Sequence, residues 1–136
     1  MIDIEKQVAY WRDGASEDWQ VARDLIRRKR TRQGLFFAHL ALEKALKAHV
    51  CRHSQDLAPR MHNLVRLAEL AGFRLDAKQI DVLAEMNAFN IEGRYPEMLQ
   101  PEASAEEARD YMRRAKEVYT WLMKQLQEQS DDTSKN

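Results

Sequence analysis

Residues Phe36–Ala48 read FFAHLALEKALKA, and this stretch decides the predicted fold. It is rich in alanine, leucine, glutamate and lysine, which are strong helix formers. One face of the resulting helix carries Leu35, His39, Leu42, Leu46 and His49. This spacing predicts a helix from Leu35 to about Arg52, with that face directed at a core.

Helical spacing continues on both sides of this segment. The predicted neighbours are a long helix over about residues 3–29, a short helix near His62–Ala71 closed by Gly72, a helix from Asp76 to about Ile91, and a last helix from Ser104 to at least Leu126. The last two begin with capping boxes, Asp76 with Gln79 and Ser104 with Glu107. The connections between helices are short, which favours antiparallel neighbours. We therefore predict an all-α fold, an up-and-down antiparallel helical bundle of about five helices.

Length and composition limit the domain organisation. The chain has 136 residues and 44% hydrophobic content, which suffices for one core. Residues 1–129 are predicted to form the bundle, and residues 130–136, which lack an apolar anchor, a disordered polar tail. Lys plus Arg equals Asp plus Glu at 22 each, so net charge does not favour broad nucleic-acid binding. No charged-then-apolar leader and no apolar run of about 20 residues occurs, which predicts a cytoplasmic protein without a membrane partner.

Metal and nucleophile sites receive little support from the sequence. His49 and His53 are one helical turn apart, but no carboxylate or cysteine completes a ligand set at a recognised spacing. Cys51, the only cysteine, lies near these histidines without a turn that would activate its thiol. There is also no glycine-rich phosphate loop. We predict no metal and no cofactor, and interpret Cys51 as a small helix residue.

The charged residues within the predicted helix from Leu35 to about Arg52 allow two interpretations. Glu43 and Lys47 are one turn apart on a row that also holds Phe36, Leu40 and Val50. They form either an ordinary ion pair on a solvated face or a partly desolvated pair. The second arrangement is costly unless the charges meet a partner helix or a ligand.

The stretch Asn87–Pro96, NAFNIEGRYP, interrupts the helical pattern. Gly93 offers a left-handed helix stop, and Pro96 biases Tyr95 away from the α region. Arg94 and Tyr95 are thereby predicted to lie just past a helix end, preorganised to contact a ligand or partner.

Several blocks together resemble the HEPN domain family. They are Ala41 with EKALKA at 43–48, HNL at 62–64, RYP at 94–96, an opening block around Tyr10-Trp11 and DWQVA at 18–22, and a closing block AKEVYTWL at 115–122. The similarity extends from about residue 8 to 126. It implies an up-and-down bundle, commonly a homodimer, found in prokaryotes beside a minimal nucleotidyltransferase with which it forms toxin and antitoxin pairs.

Many proteins of that family are metal-independent ribonucleases with an Arg-x4-6-His motif. Histidine supplies an acid or base near neutral pH, and arginine stabilises the phosphorane charge. Arg94 matches the family arginine, but the expected histidine positions hold Leu99, Gln100 and Pro101. Whether the chain is an enzyme is therefore left open.

Other residues offer weaker matches to this chemistry. Arg32 and His39 have six residues between them, but they lie outside the family's motif position. His39 is alternatively a hydrogen-bonded core residue. His62 is either a residue at the start of the third helix or part of a site. The basic run Arg27–Arg32 either complements the negative end of the first helix or contacts RNA or an acidic partner.

The leading hypothesis is an interaction module, a homodimer that binds a minimal nucleotidyltransferase and a nucleotide or RNA. Its predicted binding residues are Asn90, Arg94, Tyr95, Glu43, Lys47 and His62. Arg94 would contact a phosphate or carboxylate, and Tyr95 would stack on a base. The alternative is an active ribonuclease toxin whose histidine comes from elsewhere in the dimer. A third interpretation makes Arg94-Tyr95-Pro96 structural.

Overall fold

The computed structural model describes residues 1–95 and 101–134, with only the backbone for 91–94 and 129–134. Within these residues the chain forms helices and no strand. The helices are α1 (Ile4–Arg27), α2 (Thr31–Ser54), α3 (Leu64–Leu70), α4 (Ala77–Arg94) and α5 (Ala105–Ser134). The predicted all-α fold is therefore confirmed.

The four long helices alternate in direction. Arg114 of α5 forms an ion pair with Glu85 of α4, and the rings of Phe89 and Tyr111 meet at 5.0 Å, so α4 and α5 are antiparallel. In contrast, His49 contacts the carbonyl oxygen of Leu122, and Arg52 donates to that of Leu126. In these two contacts the residue numbers increase together along both helices, which shows that α2 and α5 run parallel. The short helix α3 lies in the connection between α2 and α4, which confirms the up-and-down arrangement.

The first two helices form a hairpin whose close approach depends on Gly34. A Cβ atom at Gly34 would lie 2.7 Å from Cδ1 of Ile26 and 3.3 Å from the carbonyl oxygen of Ala22. The turn before it includes Lys29 with φ 62°, in the left-handed region. The prediction that the second helix starts at Leu35 is wrong, because α2 begins at Thr31. Gly34 lies within the first turn, where the absence of a side chain lets α1 pack against it.

Capping bonds fix the starts of the later helices as predicted. The backbone nitrogen of Gln79 donates to the Asp76 carboxylate at 2.7 Å, and that of Asp76 donates to Gln79 Oε1 at 3.0 Å. Ser104 and Glu107 exchange the same pair of bonds at 3.0 Å each. Both boxes satisfy backbone donors that a helix start leaves without intrahelical partners.

The ends of α4 and α5 differ from their predicted positions. Gly93 does not stop α4, which ends at Arg94 with Tyr95 outside the helix. Glycine inside a helix costs only about 1 kcal/mol relative to alanine, whereas a residue before proline avoids the helical region. The last helix reaches Ser134, into the segment 130–136 predicted as a tail. The division of the chain at residue 129 stays a prediction.

The core lies where α2 meets the other helices. Its largest fully buried apolar side chains are Leu35, Leu42, Leu46, Leu64, Leu67, Leu83, Met86, Leu122 and Leu126. Trp19 of α1 stacks on Tyr119 of α5, with ring centroids 4.6 Å apart. No helix in the described part of the chain is long and apolar enough to cross a membrane.

Candidate functional site

A buried ion pair lies on α2, in the stretch that decides the fold. Nζ of Lys47 is 3.2 Å from Oε2 of Glu43, and these residues are only 6% and 4% exposed. The interpretation of this pair as part of a solvated face is therefore wrong. Residues of α1 and of the connection before α3 pack over the side chains of both residues. Removing two charges from water is costly, so such a pair needs further hydrogen bonds to be stable.

His62 supplies one of those bonds. Its Nδ1 lies 2.9 Å from Oε1 of Glu43, the oxygen that Lys47 does not use. Because a carboxylate only accepts hydrogen bonds, Nδ1 of His62 carries the proton. The His62 side chain is 45% exposed, whereas that of Glu43 is 5% exposed. The buried carboxylate thus connects to the protein surface through this imidazole.

His39 anchors the same connection from inside the core. It is fully buried, and its Nε2 lies 3.1 Å from the backbone oxygen of His62. A carbonyl oxygen cannot donate, so Nε2 of His39 is the protonated nitrogen. Its Nδ1 faces Oε1 of Glu43 at 4.0 Å. This geometry agrees with the interpretation of His39 as a hydrogen-bonded core residue.

Two asparagines extend the network to α3 and α4. Oδ1 of Asn63 accepts from the backbone nitrogen of Arg66 at 3.1 Å and caps α3. Oδ1 of Asn87 on α4 accepts from the backbone nitrogen of Leu64 at 2.9 Å. The position of His62 is therefore fixed by α2 on one side and by α4 on the other. Asn87 was not predicted as a site residue, because its partner lies 23 positions away in the sequence.

Trp11 of α1 completes the surroundings of the ion pair. Nζ of Lys47 lies 5.1 Å from the centroid of its ring, which is within the range of a cation–π contact. No sequence pattern indicates this contact, since Trp11 follows the apolar stripe of α1 like an ordinary core residue. We define the polar network as His39, Glu43, Lys47 and His62.

The remaining predicted binding residues lie toward one end of the bundle. Tyr95 is 51% exposed, and Asn90 is half-buried on α4. The side chain of Arg94 lies outside the described residues. Its backbone is seven residues past Asn87, which is about two turns, or about 10 Å, along the same side of α4.

Arg32 lies at the start of α2. Its backbone nitrogen donates to Oε1 of Glu102 at 3.2 Å, so the residues just before α5 meet the start of α2. On α2, Arg32 is seven residues, or about 10 Å, from the buried His39. Leu99 and Gln100, which occupy two of the family's histidine positions, lie outside the described residues, whereas Pro101 is described and exposed.

The described part of the chain has no arrangement of side chains that suits metal binding or thiol chemistry. No three His, Cys, Asp or Glu side chains there lie close enough to hold a metal ion. Cys51 is fully buried, and burial raises the pKa of its thiol. A thiol with a raised pKa is a poor nucleophile. Its packing beside Val8, Ala48 and Leu126 agrees with the interpretation as a small core residue.

Comparisons with known proteins identify the family. A family model for the HEPN domain matches residues 8–126. The crystal structure of TT1696 from Thermus thermophilus has a TM-score of 0.70 and 18% identity, and the match covers 87% of this chain and 97% of that chain. The crystal structure of ST0689, an archaeal HEPN homologue, has a TM-score of 0.67 and 18% identity, and the match covers 92% and 98% of the two chains. No curated protein matches the chain significantly. At this identity the two structures support the fold, whereas the family match spans most of the sequence. The chain belongs to the HEPN domain family.

Proposed function

We propose that this protein is an interaction module: a homodimer that pairs with a minimal nucleotidyltransferase in a toxin–antitoxin system and binds a nucleotide or RNA. The binding surface runs from His62, above the buried Glu43–Lys47 pair, to Arg94 and Tyr95 at the end of α4. Asn90 lies between these two parts of the surface, on α4.

The observation that carries this proposal is the buried Glu43–Lys47 pair and its hydrogen bond to the exposed His62. Well-packed apolar residues in place of a buried ion pair are often equally or more stable, so stability alone is a weak reason for its presence. The pair instead fixes His62, since Oε1 of Glu43 holds Nδ1 at 2.9 Å. A histidine held in one orientation at the surface can offer a defined hydrogen bond to a partner.

The end of α4 supports the same surface. Tyr95 is a large aromatic residue that is half-exposed, and tyrosine and arginine are both enriched among the residues that dominate binding energy at interfaces. Arg94 supplies five donors in a rigid fork that suits phosphate or carboxylate groups.

Co-expression tests the partner directly. The chain is produced together with a minimal nucleotidyltransferase, taken from the reading frame beside its gene where that frame encodes one, and the complex is isolated by size-exclusion chromatography with mass determination. We expect a complex in which this chain is present in two copies. A monomeric chain, or a neighbouring nucleotidyltransferase that elutes separately, would contradict the proposal.

A second function, metal-independent RNA cleavage, is favoured by one specific observation. An exposed imidazole held through Nδ1 by a buried carboxylate is the arrangement that orients histidine for acid–base catalysis. The partly exposed His62 meets this description. It is the candidate for the histidine that the motif after Arg94 lacks.

Cleavage of labelled RNA in the presence of a chelator distinguishes the two functions. Under the interaction proposal, the purified protein leaves the RNA intact. If the protein cleaves RNA and either His62→Ala or Arg94→Ala abolishes cleavage, the ribonuclease function replaces the first proposal.

A further inference from the structure

A groove of about 340 Å³ lies between α1 and α5, and its walls carry five cations. Arg23 and Arg27 come from α1, and Arg109, Arg113 and Lys116 come from α5. All five are solvent-exposed. In a chain with a formal net charge of zero, this concentration of positive charge on one face is a local feature.

Most of this charge is not neutralised locally. Arg27 lies 3.6 Å from Asp24, and Arg113 lies 2.7 Å from Asp110 and 3.8 Å from Glu117. The other three cations of the groove form no ion pair with any residue that the structure describes. They are Arg23, Arg109 and Lys116.

The spacing of the cations follows the two helices. On each wall, neighbouring cations are three or four residues apart, which places their Cβ atoms about 5–6 Å from each other. A ligand with negative charges repeated at a similar interval can therefore contact several cations at once. Arginine, which supplies four of the five cations, also binds phosphate through two parallel hydrogen bonds.

The groove could bind a phosphate chain or a protein helix, and the apolar surface of its floor distinguishes these two ligands. It is formed by Trp19, Ile26 and Met112, but Trp19 is only 6% and Met112 only 9% exposed. The stacked ring of Tyr119 covers Trp19 further. An amphipathic helix would thus find little apolar surface to bury, whereas all five cations along the rim are exposed.

We propose that the groove between α1 and α5 binds a linear chain of phosphate groups. Such a chain is provided by the backbone of single-stranded nucleic acid or by inorganic polyphosphate. The groove is separate from the polar network, and its ligand does not depend on the pairing with a nucleotidyltransferase.

The test measures the binding of labelled oligouridylate to the full chain by fluorescence anisotropy, with inorganic polyphosphate and polyglutamate as competitors. The test variant is Arg23→Glu/Arg109→Glu. The control variant, Arg60→Glu/Arg74→Glu, changes the net charge equally at exposed positions outside the groove. Thermal unfolding of each variant checks the fold. Should the double variant not fold, Lys116→Glu replaces it.

We expect the test variant to weaken binding at least tenfold and the control to weaken it less than threefold. Loss of two phosphate contacts also lowers the slope of log K against log salt by about 1.4.

The competitors distinguish the two sources of a phosphate chain. If polyphosphate displaces oligouridylate at low concentration, the groove accepts inorganic polyphosphate, and if it does not, the ligand is nucleic acid. The proposal is overturned if the native chain binds neither, if both variants lose affinity equally, or if polyglutamate competes as well as the phosphate chains, since the last result would indicate an acidic protein.

Discussion

Nδ1 of His62 lies 2.9 Å from Oε1 of Glu43, and this hydrogen bond joins an exposed connection to a carboxylate buried on α2. The other carboxylate oxygen of Glu43 is taken by Lys47 at 3.2 Å. Each oxygen thus has its own partner, one at the surface and one in the interior. Loss of the carboxylate therefore affects both the packing of α2 and the orientation of His62.

Replacement of Glu43 by leucine is expected to destabilise the fold strongly. Glu43→Leu leaves the Lys47 ammonium group buried without its anion, which costs about 3–5 kcal/mol when a buried pair is broken. Urea denaturation at neutral pH measures the change in the free energy of unfolding.

The double variant Glu43→Leu/Lys47→Met is the control for this prediction. It removes both charges and keeps similar volumes, so we expect it to recover at least half of the lost free energy. If the double variant is as unstable as Glu43→Leu alone, the buried charge of Lys47 is not the source of the loss.

Two glycines on the α1–α2 hairpin are expected to respond oppositely to alanine. Gly34→Ala places a Cβ atom 2.7 Å from Ile26 and 3.3 Å from the backbone of Ala22, which we expect to cost about 1–3 kcal/mol through overpacking. Gly14→Ala meets only the flexible side chain of Lys44, at 3.1 Å. Since alanine favours a helix interior over glycine by about 1 kcal/mol, this variant should be neutral or more stable. Thermal unfolding compares them, and equal losses would argue against a close approach at Gly34.

His49 is expected to make stability depend on pH. Burial lowers its pKa to about 4 from 6.5, against the opposing effect of its hydrogen bond to the Leu122 carbonyl. The unfolded chain therefore binds a proton between pH 6.5 and 4 that the folded chain does not bind. Stability falls as the pH decreases through this range, by about 2 kcal/mol between pH 7 and 5.

Urea denaturation at the two pH values measures this loss. The control is His49→Gln, which keeps a donor for the Leu122 carbonyl but does not titrate. It should show a loss smaller by about 2 kcal/mol between the same pH values. An unchanged pH dependence in His49→Gln would assign the effect to other groups.

The helices were predictable from local sequence, and their exceptions have local causes. The capping boxes at Asp76 and Ser104 were predicted because a cap requires only residues three positions apart. α2 begins at Thr31 and not at Leu35, because Gly34 continues the helix and serves the contact with Ile26, which its sequence neighbours do not show. α4 continues past Gly93 to Arg94, because a glycine inside a helix costs less than a helical residue directly before a proline.

The candidate site was predictable residue by residue but not as an arrangement. Glu43, Lys47, His39 and His62 were each identified as candidates, yet the contact between His62 and Glu43 spans 19 positions. It depends on how the connection before α3 folds back on α2. The roles of Asn87 and Trp11 depend on such long-range contacts as well, and periodicity along one helix carries no information about them.

The affinity of the His62→Ala variant for the proposed nucleotidyltransferase partner tests the central claim most directly. Isothermal titration calorimetry compares the native chain with His62→Ala and with Arg66→Ala, which removes an exposed side chain on α3 that pairs only with Glu69 among the described residues. If His62 is a contact fixed by the buried pair, His62→Ala weakens binding at least tenfold, or about 1.4 kcal/mol, while Arg66→Ala remains near the native value. Native affinity in His62→Ala, with the complex intact, would contradict the account.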